Sequence, residues 1–189
     1  MKKIVVFASG SGSNAERIAT YFTEKGSAKV SLILCNNPQA GVLARAKRLE
    51  IPSLVFDRKA FYKTNVVLDV LATQQPDLIV LAGFLWKVPE ALIAAYPNRI
   101  LNIHPSLLPK YGGKGMYGAH VHQAVVANGE KESGITIHFV NEHYDEGNIL
   151  FQAKTEVLPA DTADTLAEKI HLLEYEHFPK VIEEWLKTC

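Results

Sequence analysis

A polar pair, Asn102 and His104, interrupts an apolar stretch near the middle of the chain. Residues two apart point to the same face of an extended strand, and Pro105 predicts that the strand ends directly after them. An amide and an imidazole that converge at a strand end can stabilise an oxyanion or move a proton. Two residues that only cap neighbouring backbone would give the same pattern, so the pair alone leaves a catalytic and a structural role open.

A carboxylate that can partner the imidazole is present in the polar segment "NEHYDEGNIL". Asp145 lies there between two predicted strands, where it can orient His104 or accept a proton through water. Glu146 is adjacent, and an aspartate often only stabilises its own turn, so spacing does not choose between these alternatives.

The segment "SGSGSN", Ser9–Asn14, follows the first predicted strand and opens the first predicted helix. Backbone N–H groups and the helix dipole at such a junction attract anions. The segment lacks the third glycine of a dinucleotide fingerprint, and Asn36 and Asn37 stand where an acidic residue would bind a ribose. It also lacks a Walker lysine. We therefore predict that this segment binds the phosphate group of a ligand smaller than a dinucleotide. The alternative is that it forms only a tight turn.

The seven histidines also permit a metal hypothesis, chiefly His120 and His122 together with His138 or His143. A strong zinc signal would be a His-Glu-x-x-His helix or paired Cys-x-x-Cys motifs, and the sequence has neither. We expect no metal.

Short apolar runs alternate with helical patterns, which is typical of an α/β domain with a largely parallel sheet. The short link after residue 140 predicts an antiparallel addition at the sheet edge. Asp161 is predicted to cap the last helix, and Pro179 to bend or split it. The predicted strands are Lys3–Ala8, Lys29–Cys35, Ser53–Phe56, Leu78–Ala82, Ile100–Ile103, Gly134–Val140 and Ile149–Val157. The predicted helices are Asn14–Lys25, Gly41–Glu50, Arg58–Gln74, Pro89–Tyr96, Ala119–Asn128 and Asp161–Lys187.

Composition fits one globular domain over residues 1–189. Twenty basic residues balance twenty acidic ones, so we expect neither a nucleic-acid partner nor a membrane surface. No apolar run approaches the roughly 20 residues needed to span a bilayer. The two cysteines, Cys35 and Cys189, cannot form a secreted-type disulfide framework, and we expect a cytoplasmic protein.

Six segments, in order along nearly the whole chain, carry a family resemblance: "FASGSGSN", "NNPQAGVLARAKRLEIP", "LAGFLWKVP", "RILNIHPSLLPKYGG", "GITIHFV" and "DEGNILFQ". Together they resemble the folate-dependent phosphoribosylglycinamide formyltransferases. The resemblance implies a Rossmann-like, mostly parallel sheet with helices on both faces and an antiparallel C-terminal edge. It also implies formyl transfer from 10-formyltetrahydrofolate, as a formyl-donating cosubstrate, to the amine of glycinamide ribonucleotide by a monomer or weak homodimer.

The same resemblance assigns roles to individual residues. It implies that Asn102, His104 and Asp145 are catalytic and that Glu174 binds the substrate ribose. The substrate-phosphate positions that it implies are Ser11, Gly12, Ser13 and Asn14. The folate-contacting positions are Arg58, Leu85, Trp86, Lys87, Val88, Asn102, Asn141, Glu142, His143, Tyr144 and Asp145.

One segment departs from the short-loop form of the family. The loop Gly112–Ala119 is longer, which leaves the roles of Lys114 and Tyr117 open. Three other activities are weighed against the implied transfer. They are hydrolysis of 10-formyltetrahydrofolate, formylation of methionyl-tRNA, and non-catalytic binding of a phosphorylated metabolite. The hydrolase and the tRNA enzyme are expected to carry an additional domain.

Overall fold

Seven strands form one sheet in the computed structural model, which describes residues 1–188. The strands are β1 (Lys2–Ala8), β2 (Ala28–Cys35), β3 (Ser53–Val55), β4 (Leu78–Leu81), β5 (Ile100–His104), β6 (Glu132–Phe139) and β7 (Ile149–Glu156). Their spatial order is β3-β2-β1-β4-β5-β6-β7. The first five run parallel, whereas β6 pairs antiparallel with β5 and β7 with β6. The predicted antiparallel edge is therefore present.

Seven helices connect these strands or follow them in the described part of the chain. They are α1 (Ser13–Lys25), α2 (Gly41–Arg48), α3 (Arg58–Tyr62), α4 (Val66–Gln74), α5 (Glu90–Ala95), α6 (Ala119–Ala127) and α7 (Ala163–Leu186). No helix within residues 1–188 is long and apolar enough to cross a lipid bilayer.

The strands bury both faces, so the core has two layers. Side chains from α1, α2, α6 and α7 pack on one face against alternate strand residues such as Val6, Val80 and Ile137. Side chains from α3, α4 and α5 pack on the other face, around Phe7 and Ile79. A strand that is covered on both sides has a continuous run of apolar residues, and β1 and β4 show such runs in the sequence.

The side of the sheet on which successive strands are added changes between β1 and β4. The chain first adds β2 and β3 on one side of β1 and then crosses to place β4 on the other side. A crevice forms outside the carboxyl ends of the strands at such a point. Here Ser9 holds the two strand ends together. Its N–H donates to the carbonyl of Gly83 at 3.1 Å, and its Oγ accepts from the N–H of Leu85 at 3.0 Å.

The prediction of a single helix over Arg58–Gln74 is wrong. The structure has two helices there, α3 and α4, separated by residues 63–65. The hydroxyl of Thr64 donates to the carbonyl of Ala60 and accepts from the N–H of Val66. A threonine side chain that bonds to nearby backbone in this way competes with the helical ladder, and the helix stops there.

The last helix differs from its prediction at its cap, and of the two outcomes predicted for Pro179, a bend or a split, the split does not occur. Thr162 caps it instead of Asp161, through a reciprocal pair of hydrogen bonds with Thr165. Pro179 lies inside α7 without splitting it. Proline removes the N–H that would bind the carbonyl four residues earlier. Here the Nε of Arg17 donates to that carbonyl, of Tyr175, at 3.0 Å.

Candidate active site

A cavity of about 830 Å³ opens at the carboxyl edge of the sheet, between the ends of β1, β4 and β5 and the helices α6 and α7. It is lined by nearly all of the residues that the sequence singled out. They are Ser11, Gly12, Ser13, Asn14, Leu85, Trp86, Lys87, Val88, Asn102, His104, Asn141, His143, Tyr144, Asp145 and Glu174. Arg58 and Glu142 lie outside this lining.

The turn before α1 presents free backbone N–H groups to one end of the cavity. Helix α1 starts at Ser13, and no side chain caps it. Gly12 has a φ of 77°, and a Cβ at this position would lie 2.4 Å from Cγ2 of Val42, so only glycine fits. The N–H groups that begin a helix without a capping side chain form an anion site.

Helix α2 fixes the carbonyl oxygens of the same turn. The N–H of Val42 donates to the carbonyl of Gly10 at 3.1 Å, and Nε of Arg45 donates to that of Ser11 at 2.8 Å. The guanidinium groups of Arg45 and Arg48 both pair with Glu16, in the first turn of α1. These contacts offset the charge of the Glu16 carboxylate, so it opposes an incoming anion less.

A buried carboxylate lies beside the turn. Oε2 of Glu174, a residue that is only 6% exposed, accepts from Nδ2 of Asn14 at 2.8 Å and lies 3.0 Å from Nδ1 of His171. The hydrogen bond to Glu174 raises the pKa of His171, against the effect of partial burial. The carboxylate and its partners can bind hydroxyl groups next to the phosphate position.

Asn102 and His104 both line the cavity, as their spacing in the strand predicts. Asn102 lies opposite His138 of β6, and its Nδ2 is 3.1 Å from the Nε2 of that imidazole. Nδ1 of His138 is 2.9 Å from the carbonyl of Phe139. A carbonyl only accepts, so Nδ1 carries a hydrogen, and the ring is held with Nε2 toward the amide of Asn102. The Asn102 amide is thereby oriented.

His104 is almost completely buried, at 4% exposure, and each ring nitrogen faces an oxygen. Nε2 is 2.7 Å from the carbonyl of Tyr111, and Nδ1 is 3.5 Å from Oδ2 of Asp145. Burial lowers the pKa of His104, although the charge of Asp145 and the Tyr111 carbonyl act in the opposite direction. The charge of Asp145 by itself would favour the imidazolium form of His104. In the structure the desolvation of the ring is the larger effect.

Asp145 lies between the two imidazoles and is held by backbone. Its Oδ1 is 3.6 Å from Nε2 of His138, and its Oδ2 accepts from the N–H of Gly113 at 3.0 Å. Burial acts to raise the pKa of Asp145. The contacts with His138 and His104 and the Gly113 N–H outweigh burial and lower it. Asp145 also has a φ of 55°, a strained backbone that is common at functional sites.

An aromatic wall forms the other end of the cavity. Phe84 and Trp86 belong to a cluster of packed rings, and Leu85 stays 50% exposed beside them. Arg58 contacts this wall from behind, with its guanidinium 4.8 Å from the centre of the Trp86 ring. Nζ of Lys87 lies 5.9 Å from the centre of the Tyr144 ring. A flat, partly polar ligand fits such a surface.

The long loop borders the cavity between its two ends. Lys114, Met116 and Tyr117 line the cavity, and Met116 also packs against the core. The N–H of Gly113 connects the loop to Asp145. No group of three His, Cys, Asp or Glu residues within residues 1–188 is arranged to hold a metal ion.

The structure places four residues in the site whose positions there were not predicted from the sequence, although His122 and His138 were considered as metal ligands. His138 orients Asn102, His171 contacts Glu174, Tyr111 contacts His104, and His122 is a buried cavity residue. His171 lies one helical turn before Glu174, a spacing that was available in the sequence. The other three depend on strand register and loop conformation, which spacing does not reveal.

An open α/β sheet in which an Asn-x-His strand end faces an aspartate suits an enzyme that stabilises an oxyanion and moves a proton during group transfer. The family model described as formyl transferase matches residues 2–182. The chain belongs to this family.

Known relatives and solved structures resemble the chain over nearly its full length. It is 40% identical to phosphoribosylglycinamide formyltransferase of Bacillus subtilis, over 98% of this chain and 95% of the relative. Identity to the Haemophilus influenzae enzyme of the same name is 38%, over 97% and 86%. The crystal structure of phosphoribosylglycinamide formyltransferase from Anaplasma phagocytophilum has a TM-score of 0.90 at 34% identity, covering 99% of this chain and 88% of the other. The predicted family and fold class are confirmed.

Proposed function

We propose that the protein transfers a formyl group from 10-formyltetrahydrofolate to the amine of glycinamide ribonucleotide, giving formylglycinamide ribonucleotide in de novo purine biosynthesis. One observation carries the proposal. A single cavity contains an anion-binding turn, a buried carboxylate, an Asn–His–Asp group and an aromatic wall, in that spatial relation. The relatives at 38–40% identity bear the name of this activity.

The ribonucleotide fits one end of the cavity. Its phosphate accepts from the N–H groups of Ser11–Asn14, and its ribose hydroxyls bind Glu174, which contacts Asn14 directly. The glycinamide arm then extends toward Asn102 and His104, because these residues line the same cavity. This orientation delivers the amine to the strand end.

The formyl donor fits the opposite end. Its ring system lies against the segment Leu85–Val88, where Arg58 supports Trp86 from behind, and against Asn141–Asp145. Backbone N–H and C=O groups of these segments can bind the polar edge of the ring. A donor bound in this way would carry its formyl carbon beside the amide of Asn102, which lines the same cavity.

The residues at the strand end provide the chemistry. As the uncharged amine forms its bond to the formyl carbon, negative charge develops on the formyl oxygen. The amide of Asn102 and an N–H of His104 donate to that oxygen. Asp145, held in its ionised form, orients a water that takes the proton from the amine and returns it to the leaving nitrogen. The negative charge then returns from the oxygen as the bond between the formyl carbon and the donor nitrogen breaks. The amine has lost one proton and the leaving nitrogen has gained one.

The test is an acceptor comparison with purified protein and 10-formyltetrahydrofolate. We expect stoichiometric formylation of glycinamide ribonucleotide, and no consumption of the donor without an acceptor. Donor consumption in water alone would instead indicate the hydrolase, and formylation of methionyl-tRNA the tRNA enzyme. Tight binding of the ribonucleotide without turnover would indicate a non-catalytic binding protein. A cytoplasmic location and a monomeric or weakly dimeric state stay part of this proposal.

A further inference from the structure

The side of the His104 ring that faces away from Asp145 is bound to a loop carbonyl. Nε2 lies 2.7 Å from the carbonyl oxygen of Tyr111. Since a carbonyl accepts and never donates, Nε2 must carry a hydrogen. The nitrogen left to gain or lose a proton is Nδ1, which is 3.5 Å from Oδ2 of Asp145. That distance is longer than a strong hydrogen bond, so a substrate oxygen can compete for Nδ1.

The Tyr111 carbonyl is held in place through the side chain of the same residue. Tyr111 Oη donates to Oε1 of Glu130 at 2.9 Å and accepts from Nδ2 of Asn128 at 2.9 Å. Lys110 Nζ lies 3.2 Å from both Glu130 oxygens. The tyrosine ring packs on the core. Tyr111 has a φ of 57°, which persists only where the surroundings enforce it.

The residues before Tyr111 are also bound to the sheet. Oγ of Ser106 donates to the carbonyl of Lys110 at 2.7 Å, and Oγ1 of Thr136 donates to the carbonyl of Ser106 at 2.7 Å. Nε2 of Gln152 donates to the carbonyl of Leu108 at 3.1 Å. Tyr111 is therefore the end of a fixed segment, and the glycine-rich loop begins directly after it.

We propose that Tyr111 and Glu130 form a positioning device for His104. The device keeps a hydrogen on Nε2 and leaves Nδ1, beside the ionised Asp145, as the nitrogen that gains and loses a proton and donates to the formyl oxygen. Neither residue touches the substrates in this role. The proposal rests on the proposed function only for its kinetic consequence. The state of the imidazole can be measured in the protein alone.

Several charged or titratable groups face His104, and the device acts together with them. Asp145 approaches from the β6–β7 link, His138 from β6 and His122 from α6. The Tyr111 carbonyl and Asp145 raise the pKa of His104, whereas burial and His138 lower it. A loosened carbonyl therefore lowers the pKa of His104 further, and less of the imidazolium is available at neutral pH.

The experiment compares Tyr111→Phe and Glu130→Ala with the control Tyr96→Phe, a half-buried tyrosine that lies outside the cavity. Tyr111→Phe keeps the ring and loses only the hydroxyl contacts. We expect kcat at neutral pH to fall about tenfold, the usual size for one lost hydrogen bond, with both Michaelis constants nearly unchanged. The pH profile of kcat should move to lower pH. In Tyr96→Phe all three quantities should match the wild type.

Nitrogen-15 NMR of the histidines provides the decisive readout. In the wild type we expect His104 to be the Nε2–H tautomer when neutral, and both variants to show a mixture of tautomers and a lower titration midpoint. The double variant Tyr111→Phe/Glu130→Ala should show no greater loss of kcat than Tyr111→Phe alone, since the two residues act through one contact. Unchanged tautomer and titration in a folded Tyr111→Phe protein would overturn the proposal. If Tyr111→Phe unfolds, Glu130→Ala, at a partly exposed position, decides the question in the same way.

Absence of formyl transfer by the wild type would refute the proposed function but not this device, because the NMR readout needs no substrate. Conversely, a normal wild-type enzyme whose His104 carries its hydrogen on Nδ1 would refute the device and leave the function intact.

Discussion

Burial affects both Asp145 and His104, but their net tendencies to carry charge differ. Burial alone would neutralise both groups, yet Asp145 keeps a lowered pKa because His138, His104 and the Gly113 N–H all favour its charged form. His104 has fewer compensating contacts, so burial lowers its pKa. The site therefore holds an ionised carboxylate beside an imidazole that gives up its proton readily, which suits an acid that must donate during the reaction.

Replacement of Asp145 by asparagine tests this division of roles. The amide is nearly the same size but carries no charge, so it cannot stabilise an imidazolium or draw a proton through water. We expect kcat to fall about 100- to 1,000-fold, the range for loss of one electrostatic contribution at a transition state. Thermal unfolding should change far less. Steady-state formylation rates and melting curves measure the two effects.

The neighbouring Glu146 is the matched control, because the sequence did not decide between the two carboxylates. Glu146 is exposed, whereas Asp145 contacts both imidazoles. Glu146→Gln should keep wild-type turnover. Near-normal transfer by a folded Asp145→Asn protein would remove this carboxylate from the mechanism.

Among the elements, the turn between β1 and α1 is the part most dependent on one residue. Gly12→Ala would place a Cβ within 2.4 Å of Val42 and force a side chain into a left-handed backbone. The turn and the N–H groups of Ser13 and Asn14 must then shift. We expect the Michaelis constant for the ribonucleotide to rise at least tenfold, as when about 1.4 kcal/mol of binding is lost, and that for folate to change little.

Gly26 is the matched control for this substitution. It also has a positive φ, 68°, at the other end of α1, but a Cβ there would meet nothing within 4 Å. Gly26→Ala therefore introduces the same backbone strain away from the cavity. Initial rates with each substrate varied in turn separate the outcomes. Equal rises in both Michaelis constants for Gly12→Ala would contradict a phosphate site at this turn.

The elements also show what a sequence can and cannot predict here. Buried strands such as β1 and β4 are continuous apolar runs, and the Asn102–His104 spacing correctly predicts a shared face, because strand periodicity is local. The break at Thr64 and the unbroken helix at Pro179 depend on hydrogen bonds, one of them from Arg17 on another helix. The pairing of Asn102 with His138 and the burial of His104 require the register of β5 and β6, which no local pattern contains.

At the scale of the whole molecule, the order of the strands explains how one cavity can hold both substrates of the proposed reaction. The change of side between β1 and β4 brings the anion-binding turn beside the Leu85–Val88 wall. The antiparallel addition of β6 places the loop that carries Asp145 opposite the end of β5. Three segments that are far apart in the chain thereby meet at one edge, with the reacting groups between the two binding regions.

Burial of polar groups in this cavity also makes stability depend on pH. Burial lowers the pKa of His104 and of His122 from the ordinary 6.5, and Nδ1 of His122 has no hydrogen-bond partner among the described residues. The unfolded chain then takes up protons that the folded chain resists, so the free energy of unfolding should fall as the pH drops below about 6.5. His171 acts in the opposite sense, because its raised pKa adds stability at low pH, but it is half exposed and screened.

Urea unfolding between pH 8 and pH 5 measures this dependence. His104 and His122 resist protonation in the folded chain, whereas His171 favours it, so the difference is about one proton. We therefore expect the free energy of unfolding to change by up to about 1.4 kcal/mol per pH unit, the value for one proton. His122→Asn removes a histidine that is protonated more readily in the unfolded chain, so the free energy of unfolding should depend less steeply on pH. His177→Asn, at a partly exposed histidine outside the cavity, should keep the wild-type slope. The Asp145 contribution is lost only at lower pH, as the pH falls through its lowered pKa. A His122→Asn protein with an unchanged slope would show that His122 is not the source of the acid sensitivity.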